Sequence, residues 1–161
     1  MLVMLWQSSY CKISSCALPV NAKLCQGLNS TLARMEAVEN QCFDALLLNE
    51  SGQICETSSG NIFWCKNGIT YTPSLKCGIL EGSTRAALLR LCPDIREIEA
   101  TYDDLAKADA VCITNVVWKA LPVAGLNPVG VHWKSEEFVS HYSQLLDNDR
   151  QNYCLAQGGD W

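Results

Sequence analysis

The sequence predicts one α+β or mixed α/β domain, and three observations support that expectation. Its 161 residues are the length of a single domain. Hydrophobic residues make up 48% of the chain and charged residues 18%, so there is enough apolar material for a buried core. Patterns typical of strands and of helices follow one another without a strict strand–helix–strand rhythm. We therefore expect a mixed sheet with flanking helices.

Strand patterns predominate in the first half of the chain. A helix is also predicted there, from the capping residues Asn29 and Ser30 to about Gln41, because apolar residues recur at helical spacing. Asn67-Gly68 lies between two β-rich runs, which is the strongest short signature of a hairpin. The predicted strands are 1–7, 9–14, 44–49, 53–56, 62–65 and 69–72.

The second half mixes helices and strands more evenly. A glycine-rich turn over 78–82 precedes a helix that is predicted to begin at Ser83, and a last helix is expected from Trp133 to near Leu146. The other predicted elements are strands 95–100, 109–115 and 120–124 and a short helix over 102–107.

The charge balance excludes some classes of partner. Twelve Lys and Arg against 17 Asp and Glu give a net charge of −5, whereas binding to nucleic acid needs a basic face. No apolar run approaches the roughly 20 residues of a membrane-spanning helix. The opening six apolar residues have no basic segment before them, so they are interpreted as a strand rather than a signal peptide.

The ten cysteines are spread almost evenly along the sequence. None forms a Cys-x-x-Cys pair or a tight cluster with histidine, so the sequence supports no metal site and no redox motif. Cys65 and Cys112 lie inside apolar runs, where a thiol behaves as a small hydrophobic side chain. We expect reduced, buried thiols in a cytoplasmic protein.

Three local features could carry chemistry. Lys23 lies in a loop before a helix, Glu56 ends a strand, and Gly82-Ser83-Thr84 starts a helix whose free amide groups suit a phosphate. Taken singly, each is more simply explained as a solvated charge or a helix cap. Their order along the chain gives them significance.

That order resembles the fold-type IV pyridoxal-phosphate enzymes, which include branched-chain and D-amino acid aminotransferases and 4-amino-4-deoxychorismate lyase. The resemblance covers about residues 20–130 in unbroken order. The matching stretches are Asn21-Ala-Lys23 with Leu-Ala-Arg34, Asp44-Ala-Leu-Leu-Leu-Asn49, Glu56-Thr-Ser-Ser-Gly-Asn61-Ile-Phe-Trp64, Tyr71-Thr-Pro73, Gly78-Ile-Leu-Glu-Gly82-Ser-Thr-Arg85, and Ala108-Asp109 with Thr114-Asn115 and Leu121-Pro122-Val123.

The resemblance implies the family's C-terminal domain, with a barrel-like mixed sheet, and pyridoxal 5'-phosphate as the cofactor. Lys23 matches the lysine that holds the cofactor as a Schiff base and shuttles the substrate α-proton. Glu56 matches the carboxylate that pairs with the pyridine nitrogen, so that the ring can accept electrons. The family also implies a homodimer and a small-molecule amino substrate.

Two further motifs match the phosphate side of the family's site. Ser83 and Thr84 match the helix-start positions that cradle the cofactor phosphate, and Gly82 lets the backbone approach it. Asn115 and Val116 match the second loop on that side. Trp118, in the same loop, is a candidate substrate contact.

The resemblance leaves the reaction open. Thr114-Asn115 is followed by Val-Val-Trp and then Pro122-Val123, which looks more like aminodeoxychorismate lyase than like the Gly-Thr-Ala-Ala-Glu type of loop found in aminotransferases. The lyase eliminates pyruvate and releases 4-aminobenzoate for folate synthesis. A branched-chain or D-amino acid aminotransferase is the alternative.

The chain also departs from the family pattern. Only about 20 residues precede Lys23, so residues 1–161 are expected to form a single lysine-bearing domain without the family's N-terminal domain. Gln26 and Gly27 replace the more usual asparagine and bulkier residue. A third hypothesis is therefore a truncated, non-catalytic remnant or partner-binding domain, which would expose an apolar face.

Overall fold

The computed structural model describes residues 1–20, 22–25 and 27–156, with side chains up to residue 153. Within these residues the chain forms nine strands and four α-helices. The strands are β1 (Val3–Gln7), β2 (Asp44–Leu48), β3 (Ile54–Thr57), β4 (Asn61–Lys66), β5 (Ile69–Pro73), β6 (Arg96–Ile98), β7 (Ala110–Asn115), β8 (Lys119–Asn127) and β9 (Val131–His132). The helices are α1 (Leu28–Glu39), α2 (Ser83–Leu91), α3 (Tyr102–Ala106) and α4 (Glu136–Ala156).

All nine strands belong to one mixed sheet. Its order is β3-β2-β1-β8-β7-β4-β5-β6, and β9 pairs with β8. β1 runs parallel to both β2 and β8, and β5 runs parallel to β6, while the other neighbouring pairs are antiparallel. The two ends of this order approach each other, since the amide of Ile54 donates to the carbonyl of Ala100 at 2.8 Å. The sheet is thus a half-barrel with flanking helices, which confirms the predicted fold class.

The concave side of the sheet holds the main core. Its deeply buried side chains include Leu5 of β1, Trp64 of β4 and Ile113 of β7, each at most 1% exposed. Trp64 stacks on Tyr71 of the neighbouring strand, with 5.9 Å between the ring centroids. β7 is apolar along almost its whole length because both of its faces are covered.

The helices α1, α2 and α4 cover the other side of the sheet, whereas Leu105 of α3 packs in the main core. α1 packs the small residues Ala33 and Ala37 against Ala45 and Leu47 of β2. α2 and α4 share a second cluster with residues of β4 and β7, which includes Leu88, Phe63, Cys112, Val139 and Tyr142. Among the described residues, no helix is both long and apolar enough to cross a membrane.

Several element boundaries differ from the prediction. Residues 9–14 do not form a strand; Lys12 donates its amide to Leu48 at 2.8 Å, but no ladder follows. Short polar side chains in this stretch offer the backbone local alternatives, such as the hydroxyl of Ser8 that accepts from the amide of Tyr10. The predicted N-terminal cap at Asn29 is also wrong, because α1 begins one residue earlier, at Leu28.

The C-terminal helix is shifted and longer than predicted. It begins at Glu136 instead of Trp133, which packs in the main core, and it continues ten residues beyond Leu146. Ion pairs hold the added turns to the domain: Asp149 pairs with Arg90 at 2.7 Å, and Asp147 pairs with Lys119. β8 is extended as well and pairs with the short strand β9, which was not predicted.

The nine described cysteines are free thiols, and their exposure varies. Cys42, Cys55, Cys77 and Cys112 are buried as expected, and burial raises the pKa of the Cys55 thiol to about 12. Three others, at 11, 16 and 25, are exposed, because the segment between β1 and α1 that carries them lies on the surface. The side chain of the tenth, Cys154, lies outside the described residues.

Candidate active site

One cavity of about 590 Å³ lies where four connecting segments meet. These are the β3–β4 turn, the loop into α2, the β7–β8 turn and the segment between β1 and α1. The cavity brings together six residues singled out from the sequence: Lys23, Glu56, Ser83, Thr84, Asn115 and Val116. Its volume is in the range of cavities that hold a small cofactor.

The carboxylate of Glu56 is buried in this cavity and accepts from three donors. Its Oε2 accepts from the Nδ2 of Asn61 at 3.0 Å and from the amide of Leu80 at 3.1 Å. Its Oε1 forms an ion pair with the ammonium of Lys12. Burial raises the pKa of Glu56, while the charges of Lys12 and Lys23 and the hydrogen bonds act in the opposite direction.

Lys23 lines the cavity from the segment before α1. Its side chain is exposed, and Glu56 lines the same cavity, so the two groups face a common space. The neighbouring positions Asn21 and Gln26, both noted in the sequence, lie outside the described residues. An amine and a carboxylate thus line one cavity from different walls.

The start of α2 supplies amide groups to the cavity. Gly82 is the N-cap, and within the described chain no side chain caps this helix end. A helix N-terminus without such a cap presents N–H groups and the positive end of the helix dipole, which favours an anion. A Cβ on Gly82 would overlap the Oδ1 of Asn61, so any larger residue would displace Asn61 where the two segments touch.

A buried carboxylate beneath the cavity holds the β3–β4 turn in place. Asp44 is fully buried and accepts hydrogen bonds from the hydroxyls of Ser58 and Ser59, the latter at 2.5 Å. Arg34 of α1 lies 3.5 Å from the same carboxylate. Asp44 therefore links the helix that follows Lys23 to the turn that follows Glu56.

The β3–β4 turn is also joined to the β7–β8 turn. Asn115 donates from Nδ2 to the carbonyl of Ser59 at 3.0 Å, and its Oδ1 accepts from the amides of Val117 and Trp118. Gly60 allows close contact here, because a Cβ at this position would lie 2.6 Å from the carbonyl oxygen of Thr114. One side chain thus fixes both turns at the mouth of the cavity.

Trp118 is placed differently from the other candidates. It does not line the cavity but packs edge-on against Phe43, with 5.4 Å between the ring centroids. Its indole nitrogen is buried and has no hydrogen-bond partner among the described residues. The neighbouring Val116 and Val117 are instead highly exposed, at 77% and 81%.

Three residues of the site were not identified from the sequence. Lys12 fell in a segment predicted to be a strand, and nothing in its surroundings distinguishes it from a solvated lysine. Asn61 and Asp44 lie inside the quoted motifs, and Asp44 is a polar residue within an apolar run, whereas Asn61 ends a polar stretch. A buried polar side chain in such a run needs a partner, and that signal could have identified Asp44.

The residues present fit pyridoxal phosphate on chemical grounds. An uncapped helix start suits its phosphate, a buried carboxylate suits its ring nitrogen, and a lysine suits its aldehyde. All three groups line one cavity, and within the described residues no side chain caps the helix start.

Comparison with known proteins gives a family that agrees with this geometry. Residues 5–126 match the family described as amino-transferase class IV. A probable branched-chain-amino-acid aminotransferase of Thermotoga maritima is 34% identical over 72% of this chain and 43% of its own length. The aminodeoxychorismate lyase of Bacillus subtilis is 31% identical over 82% of this chain and 46% of its own length. This chain thus spans about half the length of the curated relatives it matches.

Solved structures agree with the sequence relatives. A branched-chain aminotransferase from Thermoproteus uzoniensis superposes with a TM-score of 0.85 at 26% identity, over 95% of this chain and 54% of that one. The T.th. branched-chain amino acid aminotransferase has a TM-score of 0.80 at 30% identity, over 90% of this chain and 51% of that one. The latter was solved with N-(5'-phosphopyridoxyl)-L-glutamate, a pyridoxal-phosphate derivative, which supports the expected cofactor. The chain belongs to the class IV aminotransferases, a family of pyridoxal-phosphate enzymes.

Proposed function

We propose that this chain is the lysine-bearing domain of a pyridoxal-phosphate enzyme with the activity of an aminodeoxychorismate lyase. The observation that carries the proposal is the shared cavity, in which Lys23, Glu56 and the start of α2 face one space. The substrate would be a small amino compound, which is cleaved to 4-aminobenzoate and pyruvate.

Each wall of the cavity has a distinct task in this proposal. The amides of Ser83 and Thr84 would bind the cofactor phosphate, and Glu56 would hold the ring nitrogen. Lys23 would hold the cofactor and move the proton of the substrate α-carbon. When bound, pyridoxal phosphate supplies an electron sink for the negative charge that develops on that carbon.

The turn at Asn115 favours the lyase. Asn115 joins the β3–β4 and β7–β8 turns, and apolar residues and then Pro122-Val123 follow it, as in the lyase pattern noted in the sequence. The relative from Bacillus subtilis, whose name is aminodeoxychorismate lyase, matches 82% of this chain.

A branched-chain aminotransferase is the second candidate, and the cavity wall favours it. The segment before α1 lines the cavity with four aliphatic side chains: Ile13, Leu18, Val20 and Leu24. An apolar wall suits the branched side chain of such an amino acid better than it suits the carboxylates of aminodeoxychorismate. The relative from Thermotoga maritima is named a probable branched-chain-amino-acid aminotransferase.

Incubation with the two kinds of substrate separates these candidates. The protein, loaded with pyridoxal phosphate, is given aminodeoxychorismate in one reaction and a branched-chain amino acid with 2-oxoglutarate in another. We expect release of 4-aminobenzoate and pyruvate in the first reaction. Formation of a branched 2-oxo acid without release of 4-aminobenzoate would overturn the lyase assignment in favour of the aminotransferase.

Uptake of the cofactor tests the third hypothesis, a non-catalytic domain. A catalytic domain should take up pyridoxal phosphate and gain absorbance in the visible range. A protein that stays colourless with excess cofactor would contradict both enzymatic assignments and support a remnant.

The assembly and the location of the protein are also proposals. Leu28, Met35 and Val38 of α1 expose an apolar surface, which supports association into a homodimer. The nine described free thiols are consistent with a reducing compartment such as the cytoplasm. Light scattering after size-exclusion chromatography measures the mass of the assembly, and a monomer mass would contradict the homodimer.

A further inference from the structure

The cavity contains a second lysine that the proposed chemistry does not use. The side chain of Lys12 is only 15% exposed, and its ammonium pairs with Oε1 of Glu56, whose own side chain is 7% exposed. Lysine is rarely buried to this extent unless it has a specific partner. Lys12 therefore contacts the same carboxylate that would hold the cofactor ring.

The hydrogen bonds of Glu56 leave little room for another donor. A carboxylate offers about four lone-pair positions. Three are filled, because Asn61 and Leu80 donate to Oε2 and Lys12 donates to Oε1. The remaining position is on Oε1, so a ring nitrogen that binds Glu56 must share this oxygen with Lys12.

The backbone around Lys12 is fixed on both sides. The amide of Lys12 donates to the carbonyl of Leu48 at 2.8 Å, at the end of β2. The carbonyl of Cys11 accepts from the Nδ2 of Asn29 in α1 at 2.8 Å. The backbone at Lys12 is thus held by two separate elements, β2 and α1.

We propose that Lys12 is a positioning residue that acts through Glu56: it orients the carboxylate, keeps it ionised and shares Oε1 with the ring nitrogen of the cofactor. The claim that Lys12 and the ring nitrogen share Oε1 rests on the proposed function. The claim that Lys12 keeps Glu56 ionised does not, since it concerns the ligand-free protein.

The charges around Glu56 account for this role. Burial raises the pKa of Glu56, and Lys12 makes the largest opposing contribution, ahead of Lys23. The adjacent thiol of Cys55 stays neutral, because burial raises its pKa to about 12. Without Lys12, the buried carboxylate of Glu56 would lose its closest counter-ion. An unpaired charge is costly in a buried site, and protonation of the carboxylate removes that cost.

Infrared spectroscopy of the ligand-free protein at neutral pH tests the ionisation directly. In Lys12→Met we expect a new C=O stretching band of a protonated carboxyl group. The band should be missing in Lys12→Arg, in the Lys12→Met/Glu56→Gln double variant and in Lys107→Met, the control at an exposed lysine. If Lys12→Met fails to fold by circular dichroism, Lys12→Gln carries the same test, because it keeps a donor and removes the charge.

The cofactor-loaded protein gives the second measurement. Removing a cation beside Oε1 raises the proton affinity of the Glu56 and ring-nitrogen pair. The absorbance titration of bound pyridoxal phosphate should therefore move to higher pH by about one unit in Lys12→Met and return in Lys12→Arg. No new carboxyl band in Lys12→Met, or a titration identical to that of the unchanged protein, would overturn the proposal. Failure of the protein to take up the cofactor would contradict the proposed function. The infrared result would still decide whether Lys12 keeps Glu56 ionised.

Discussion

Two buried carboxylates, Asp44 and Glu56, differ in their access to the cavity and therefore in their roles. Asp44 accepts from two hydroxyls and a backbone amide and lies 3.5 Å from Arg34, and these contacts fix a turn outside the cavity lining. Glu56 is paired with an ammonium and lines the cavity, where a ligand can reach it. A buried carboxylate that still faces a cavity is available for binding, whereas one enclosed by its own turn is structural.

A glycine substitution tests how closely the start of α2 must approach its neighbour. Gly82→Ala should weaken the binding of pyridoxal phosphate about tenfold, roughly 1.4 kcal/mol, because the new Cβ would displace Asn61 and the helix start. The backbone of Gly82 has φ −66° and ψ 141°, which alanine adopts freely, so the effect is steric. Fluorescence titration with the cofactor measures the affinity.

Gly27→Ala is the matched control for this substitution. Gly27 also lines the cavity, but a Cβ there would meet no heavy atom of the described residues within 4 Å. We expect its affinity to stay close to that of the unchanged protein. Equal affinities for both variants would show that the contact at Gly82 does not shape the site.

At the scale of elements, strong local patterns predicted the structure well. The Asn67-Gly68 hairpin joins β4 and β5 as expected, with positive φ at both residues, and α2 begins at Ser83. Residues 9–14 were predicted wrongly because their composition suits a strand, yet no second neighbour completes a ladder. Pairing depends on the fold around a segment, which composition does not contain.

The short helix α3 gives a test of local stabilisation. Thr101 and Asp104 form a capping box, in which the side chain of each residue bonds to the backbone of the other. Thr101→Ala should lower the free energy of unfolding by about 1 kcal/mol, measured by urea denaturation. No change in stability would show that the cap does not contribute.

The contribution of Asp104 should depend on pH. The hydrogen bonds from the amide and hydroxyl of Thr101 lower the pKa of Asp104, so the folded state favours the ionised form. This stabilisation is present above the unfolded pKa and is lost as the pH falls through the folded pKa. The difference between the unchanged protein and Asp104→Asn should therefore shrink under acid conditions, whereas the exposed neighbour in Asp103→Asn serves as the control.

At the scale of the whole molecule, the half-barrel gathers groups that are far apart in sequence. Lys23, Glu56 and Ser83 come together because the segment before α1, the end of β3 and the start of α2 meet at one cavity. Their candidate roles could be predicted because each lies in a motif that resembles a known family. The role proposed for Lys12 could not be predicted, since it depends on one contact with Glu56, 44 residues away.

The most direct test of the account is the site at which the cofactor attaches. The protein is incubated with pyridoxal phosphate, reduced with borohydride and digested, and the modified lysine is identified by mass spectrometry. We expect the phosphopyridoxyl group on Lys23, no label on Lys12 in the same cavity, and loss of the label in Lys23→Ala. A label on Lys12 or scattered over exposed lysines, or no label at all, would contradict the central claim that Lys23 and Glu56 enclose one cofactor.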